Sequence, residues 1–526
     1  MNIVEISSES SDLDFYKKKV NDLALKNNKF PKTRVISNIF KLKLWQLFDG
    51  LKVLNAFRIF NKSCKKCQRS YAEILISSFI SQKNYCVKCK IFSIIFEKFL
   101  SVALKLVSKT LNIGKEGFRN ILCENQSLRK LLTSYIRGIG LFGLRIPQIP
   151  AGPVITLWSI TDRCNLNCTH CYIKKNTNIN EINFEEACNI IDQLSRANNI
   201  IVGFSGGEPL LCRDIYDIIQ YTKKSGMDVA IATNGLLINK RTALKLKSYG
   251  TDYIQISIDG LKETHDSIRG RGTFKKAIEA ISCCLDVGLY VSMDVVITKL
   301  NYKEIFDLID LAIHLGVQKF EILDFVPSEN ACNMSSIALT PYQIEQFGFV
   351  VCAIWKQLID SNYPLTLSYK NPIFTRILSE RYPNTQIMPF FKGIFPIDAL
   401  KFFNFSNRLK KGIFKEQNSF SPFITGCEAG IYVLHIKPNG QVTPCPLNPC
   451  IIGNVRKHKI EDVWLYSKVL NKYRTHKFKN YCGKCIYRII CGGCRARVYL
   501  SRGNSAGADL SCYLNRKNCS IRFYTQ

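Results

Sequence analysis

The stretch Cys164-Asn-Leu-Asn-Cys168-Thr-His-Cys171 places three thiols within eight residues. It follows residues 155–160, a run with the apolar character of a strand. Three thiolates so spaced can hold three irons of a 4Fe–4S cluster. No fourth cysteine follows locally, so the fourth iron would stay open to another ligand. A structural zinc site would be closed by a fourth protein ligand, and His170 is poorly placed to supply it.

Around this stretch the pattern alternates strand and helix. Strands are predicted at 155–160, 200–204, 228–232, 253–258, 290–297 and 319–325. Helices are predicted between them at 183–196, 214–225, 240–248, 273–287 and 302–314. Asn183 with Glu186 three residues later is a helix-start signal. Six strands joined by right-handed crossovers make a parallel sheet that curls. Eight units would close a barrel, so the expectation is an α/β fold with a partial, open (β/α)6 TIM-like barrel. Pro147, Pro150 and Pro153 mark its start.

The chain has 526 residues, enough for several domains. Residues 1–30 read as a disordered polar tail, and 31–150 as a basic helical region. The barrel core spans 151–326, a bridging segment 327–420, and a small Cys-rich domain 421–526. The bridging segment holds an aromatic and basic run, 390–395 and 401–405, that suits a substrate entrance, a lipid contact or packing on both neighbours.

Cysteine occurs 23 times. The opening MNIVEISSESSDLDF lacks the basic and apolar regions of an export signal, and no run of about 18 uninterrupted apolar residues appears. The expected location is the cytoplasm, with the cysteines as thiols or metal ligands. Residues 1–150 carry 27 basic and 10 acidic side chains against 46 and 31 in the remainder. No nucleic-acid-binding motif accompanies that charge, so nucleic acid is not an expected partner. Residues 91–109 and 127–144 have helical apolar spacing. Packing on the next domain is expected for both, with peripheral contact to a membrane as the alternative.

Further segments sit at the ends of successive strands: Gly206-Gly207-Glu208-Pro209, Thr233-Asn234-Gly235, Ile256-Ser257-Ile258-Asp259-Gly260 and His265-Asp266-Ser267-Ile268-Arg269-Gly270. Taken with CxxxCxxC, they resemble the radical S-adenosylmethionine (SAM) enzymes. The resemblance implies that Cys164, Cys168 and Cys171 hold a SAM-binding 4Fe–4S cluster. It implies that Gly206, Gly207, Glu208, Thr233, Asn234, Ser257 and Arg269 bind SAM, with Arg269 suited to its carboxylate. Glycine at 206 and 207 permits a close approach.

At the C-terminus, Cys427 is followed by twelve residues, Gly440, four residues and Cys445. Then come Cys482-Gly-Lys-Cys485, five residues, Cys491-Gly-Gly-Cys494, and Cys512. This is similar to the SPASM extension, an auxiliary-cluster domain. The Cys491–Cys494 interval of two residues resembles mycofactocin-type peptide maturases and heme-biosynthesis members. The resemblance implies one auxiliary cluster on Cys482, Cys485, Cys491 and Cys512. A second would use Cys427, Cys445 and Cys494, with Cys450 as fourth ligand or a loop thiol. Two structural zinc sites are the competing reading.

Cys64-Lys-Lys-Cys67, eighteen residues and Cys86-Val-Lys-Cys89 have the spacing of a zinc knuckle, preferred over iron–sulfur. Cys188, Cys283, Cys284 and Cys352 lie in apolar surroundings and read as packing residues.

The implied enzyme reductively cleaves SAM to a 5′-deoxyadenosyl radical, with a reductant such as ferredoxin or flavodoxin, and modifies a peptide or protein side chain. Side-chain oxidation or decarboxylation of a tetrapyrrole is the alternative. Sulfatase maturation is disfavoured, because Pro446 stands where that group places an acid. A non-catalytic electron carrier, or a metal-ribbon nucleic-acid binder, would need neither Gly206–Pro209 nor Arg269.

Overall fold

The computed structural model describes residues 58–80, 85–96, 115–143, 145, 147–173, 180–327, 336–361, 363–381 and 426–517. The expected tail at 1–30, the run 97–109 and the aromatic stretch 390–405 lie outside these residues.

An N-terminal unit holds α1 (Tyr71–Phe79), α2 (87–96), α3 (Lys115–Glu124) and α4 (Gln126–Phe142). The core follows as β1 (Ile155–Thr161), α5 (Phe184–Arg196), β2 (Ile201–Gly206), α6 (Ile215–Lys224), β3 (Asp228–Thr233), α7 (Lys240–Tyr249) and β4 (Tyr253–Ser257). It continues with α8 (Lys262–Arg269), α9 (Thr273–Asp286), β5 (Tyr290–Ile297), α10 (Ile305–Leu315) and β6 (Lys319–Asp324). After these come α11 (Pro341–Asp360), β7 (Thr366–Lys370) and α12 (Pro372–Arg381). The C-terminal unit has β8 (Val433–Ile436), β9 (Gln441–Thr443), β10 (Gly453–Asn454), α13 (Ile460–Tyr466), α14 (Lys468–Arg474), α15 (Asn480–Lys484), α16 (Arg495–Arg502) and α17 (Tyr513–Lys517).

The six expected strands are β1–β6, and β1 to β7 pair in parallel in chain order. The sheet is wider than expected. β7 arises inside the stretch read as a bridge, and β8 of the C-terminal unit pairs in parallel with β1, Ile155 opposite Val433. Eight parallel strands therefore curl into an open barrel, extended past β8 by antiparallel β9 and β10. Lys370 of β7 reaches Glu428, just before β8, at 3.1 Å.

Period-two alternation explains the layers. Trp158, Ile160, Val202, Phe204, Ile254, Ile256, Phe320 and Ile322 face the helices in one large core. The capping pair forms as expected: Glu186 N donates to Asn183 Oδ1 and Asn183 N to Glu186 Oε2. Cys284 and Cys352 are buried in the core, while Cys283 packs at its edge.

The N-terminal unit closes the lower end of the barrel. Leu128, Leu131 and Tyr135 of α4 pack with Ile200, Ile201, Ala230 and Tyr253, at the starts of β2, β3 and β4. Ser127 Oγ donates to Asp228 Oδ2 at 2.9 Å, and Lys130 Nζ to Gly226 O at 2.8 Å. The described part of the 127–144 stretch, residues 127–143, thus packs on the barrel, as its spacing predicts. Leu131→Ala is expected to cost about 2–5 kcal/mol, because Leu131 is fully buried. Leu141→Ala, at an exposed position, is expected to stay within about 0.5 kcal/mol. Chemical denaturation of the full chain checks both.

Candidate active site

The segment after β1 that carries Cys164, Cys168 and Cys171 has no regular structure of its own, and neighbouring strand ends hold it. Gly207 N donates to Thr161 O, and Glu208 N to Arg163 O, both at 2.8 Å. A Cβ on Gly206 would lie 2.2 Å from Thr161 O, and one on Gly207 would lie 2.2 Å from Arg163 O. Gly206 is therefore required by the end of β1, and Gly207 by the residues that lead into Cys164. On its other sides, Asn234 Nδ2 donates to Asn165 Oδ1 at 2.7 Å and Thr169 N to Ile268 O at 3.0 Å. Glu181 accepts from Thr161 Oγ1 and Asp162 N. Leu166 N points at Cys164 Sγ at 3.4 Å.

Glu208 is fully buried and accepts from Leu210 N, Thr233 Oγ1 and Asn234 N. Burial raises its pKa against the pull of those donors. Three of the residues expected to bind SAM, Glu208, Thr233 and Asn234, are thus tied to one another by hydrogen bonds.

Asp259 organises the opposite wall. It accepts from Arg269 Nε at 2.5 Å and from Val296 N at 2.8 Å, and lies 3.3 Å from His170 Nε2. Burial works to raise the Asp259 carboxyl, but the Arg269 guanidinium outweighs it and holds the group below the usual range. Burial lowers the His170 pKa and brings that of His265 down to about 4. His265 Nδ1 accepts the Asp259 N–H. Arg269 Nη1 lies 4.0 Å from Cys168 Sγ, which places its cation beside the cysteine segment.

The barrel interior was not foreseen as a site. Ser257, Asp294, Glu321 and Ser368 are register partners across four strands, and Gln255, Ser292, Lys319 and Thr366 form the level below. A barrel interior with a purely packing role is filled by Val, Ile and Leu. Here Gln255 Nε2 and Ser292 Oγ both donate to Asp294 at 2.5 Å, and Lys319 is ion-paired with Glu321. Burial, then the charge of Glu321, pushes the Asp294 carboxyl up to about 7. β1 to β3 carry small residues at alternate positions, Ser159, Gly203, Ser205, Ala230 and Ala232. The available signal was the polar residue at every second position of β4 to β7.

In the C-terminal unit two cysteine sets emerge. Burial, then Cys427, pushes Cys445 up to about 12, and burial with Cys427, Asp509 and Cys445 raises Cys494. Burial with Cys512 and Cys482 raises Cys491, and Cys485 neighbours Cys482. Tyr473 lies near both Cys427 and Cys450. The sets meet where Gly426 leaves no room for a Cβ against Cys491 O. Asp509 stands between them: its N–H points at Cys482 Sγ at 3.4 Å, and its carboxylate accepts from Cys494 N at 2.8 Å. Arg497 joins Asp509 to Asp324 at the end of β6.

The N-terminal set is of a different size. Cys64, Cys67, Cys86 and Cys89 have all four sulfurs within 4.8 Å of one another, Cys64 and Cys86 at 3.6 Å. A tetrahedron of thiolates about 2.3 Å from one zinc has edges of about 3.8 Å. The set therefore fits a single ion. Among the described residues no other group of three or more such ligands lies this close together.

Residues 158–312 match the family model of the Radical SAM superfamily, and residues 427–486 match SPASM, an iron-sulfur cluster-binding domain. This chain carries a Radical SAM domain and a SPASM domain. The radical SAM segment begins in β1 and ends in α10. An AdoMet-dependent heme synthase of Methanosarcina barkeri is 27% identical over 365 residues, 68% of this chain and 96% of the relative. A mycofactocin maturase of Mycolicibacterium smegmatis is 25% identical over 368 residues, 68% of this chain and 82% of the relative. The crystal structure of Streptococcus suis SuiB bound to S-adenosylmethionine shares the fold, with a TM-score of 0.58 at 17% identity over 84% of this chain and 93% of that one.

Gly207→Ala must displace backbone rather than a side chain. It is expected to abolish 5′-deoxyadenosine formation from SAM and to lower iron content, while the Cys427–Cys512 domain keeps its iron. Wild-type iron content with unaltered SAM cleavage would show that the close approach is not required.

Proposed function

We propose that this radical SAM enzyme modifies a peptide or protein side chain inside the barrel, next to Asp294 and Glu321. Cys164, Cys168 and Cys171 would hold the SAM-binding 4Fe–4S cluster, and with SAM bound the site supplies a 5′-deoxyadenosyl radical that removes a hydrogen atom from the substrate. Arg269, set by Asp259, brings a cation to that position, and Gly206, Gly207, Thr233, Asn234 and Ser257 line the strand ends around it. Cys482, Cys485, Cys491 and Cys512 would hold one auxiliary cluster, and Cys427, Cys445 and Cys494 with Cys450 the other. Cys64, Cys67, Cys86 and Cys89 would hold zinc. A small reductant such as ferredoxin or flavodoxin supplies electrons. The described cysteines are all free thiols, which suits a reducing cytoplasm.

One observation carries the peptide reading. The lysines that β6 and β7 turn inward are already matched, Lys319 by Glu321 and Lys370 by Glu428. Among the described residues, neither of these two lysines is spare for the several carboxylates of a tetrapyrrole, whereas the paired acids and hydroxyls suit a neutral or cationic side chain. A tetrapyrrole substrate is the second reading, favoured by heme synthases that match over nearly their whole length.

The test is anaerobic. Iron-loaded, reduced protein is expected to form 5′-deoxyadenosine from SAM, and a Cys164→Ala/Cys168→Ala/Cys171→Ala variant none. A precursor peptide encoded beside the gene is expected to raise the yield and to lose hydrogen. Stimulation by an iron tetrapyrrole alone would replace the peptide reading with the second.

Asp294→Asn tests the interior acid. The folded chain holds this proton up to about 7, whereas an unfolded aspartate loses it near 3.8. Asp294 therefore costs stability progressively as pH rises between those values, with the full cost above them. The variant is expected to flatten that fall in an unfolding series across pH, and to lower substrate turnover by about tenfold or more. Substrate-free SAM cleavage should be unaltered.

A further inference from the structure

The α2 helix is two-faced. Cys89, Phe92, Ser93 and Phe96 turn inward, with Phe92 packed against Phe60 and Tyr71. The other face carries Val87, Ile91, Ile94 and Ile95, at i, i+4, i+7 and i+8, with exposures of 73, 54, 68 and 63%. No other helix among the described residues exposes more than one large apolar side chain. A run of four on one face marks an interaction surface.

Among the described residues 58–96 the exposed charged side chains have one sign. Arg58, Lys62, Lys65, Lys66, Lys88 and Lys90 are exposed. Glu73, the one acid between residues 58 and 96, is engaged in capping Ser70. The four-sulfur group fastens the start of α2 to the 64–67 turn, so stripe and lysines share a rigid base. This unit sits under the starts of β2, β3 and β4, at the end of the barrel away from the Cys164–Cys171 segment.

We propose that α2 and the four-cysteine turn dock the enzyme on an anionic lipid surface. The aliphatic stripe enters the headgroup boundary, and the surrounding lysines pair with lipid anions. An apolar face and a basic patch together give the two signals that stable peripheral attachment requires. No helix among the described residues is long and apolar enough to cross a membrane, so the contact is one of surface. A nucleic-acid surface would also use the cations, but single strands stack on aromatic side chains, and this exposed face is aliphatic throughout. Docked this way, the barrel mouth faces away from the bilayer and stays open to substrate.

Co-sedimentation of the full chain with phosphatidylcholine vesicles containing phosphatidylglycerol tests the proposal. Binding is expected at low salt, weakening with added salt, and little binding to pure phosphatidylcholine. Ile91→Asp/Ile94→Asp and Lys62→Glu/Lys90→Glu are each expected to weaken it by about tenfold or more. Both should keep wild-type zinc content by elemental analysis, thermal midpoint and SAM cleavage, so that loss of binding is separable from loss of fold or of activity. No binding of the wild type to anionic vesicles would overturn the proposal. Wild-type binding by the Ile91→Asp/Ile94→Asp protein, or tight binding to single-stranded RNA with none to vesicles, would do the same.

Discussion

The Cys164–Cys171 segment must hold three sulfurs in place without a helix or strand of its own, and everything around it answers that need. The backbone that leads into it, at Thr161 and Arg163, leans on the backbone of residues 206–208, at a distance that excludes a Cβ on either glycine. The buried Glu208 then fixes Thr233 and Asn234, and Asn234 returns to Asn165 inside the segment. A closed circuit of hydrogen bonds thus runs from β1 to β2 to β3 and back. Asp259 does the same from the far side through Arg269 and His170. Buried polar groups are costly unless satisfied, so the circuit is both a stabilising device and a positional one.

The molecule is layered about this centre. Apolar residues on one face of each strand hold the helices, and the N-terminal unit seals the barrel floor. The C-terminal unit adds β8 to the sheet and reaches the mouth through Arg497 and Asp324. Between floor and mouth, the interior of β4 to β7 is polar. A buried ion pair such as Lys319–Glu321 contributes little net stability relative to apolar packing, and its presence in a barrel interior points to chemistry rather than to folding.

Much of this was legible in the residues. Six strands show as apolar runs spaced by helices, and the CxxxCxxC segment, the glycines after β2 and the three cysteine-rich stretches stand out by spacing. What was missed has physical reasons. Thr366–Lys370 is short, with polar side chains on alternate positions, and its pairing with β6 is set by the barrel's closure. β8 belongs to a unit defined by its cysteines, and its partner β1 lies far away in sequence. Asp259, Glu181, Asp294 and Glu321 are single acids without a local motif, so only the fold brings them to the centre. Glycine at 206 and 207 suits a ligand's close approach, and the structure shows that both glycines also make room for residues 160–163, which lead into the cysteine segment.

Radical chemistry in this chain requires three protein sulfurs that leave one iron position free for SAM. Electron paramagnetic resonance of the reduced, iron-loaded protein measures this directly, with and without added SAM. A changed signal in the wild type, absent from the Cys164/Cys168/Cys171 alanine variant, is the predicted result. An identical signal with and without SAM, in protein carrying its full iron, would contradict it.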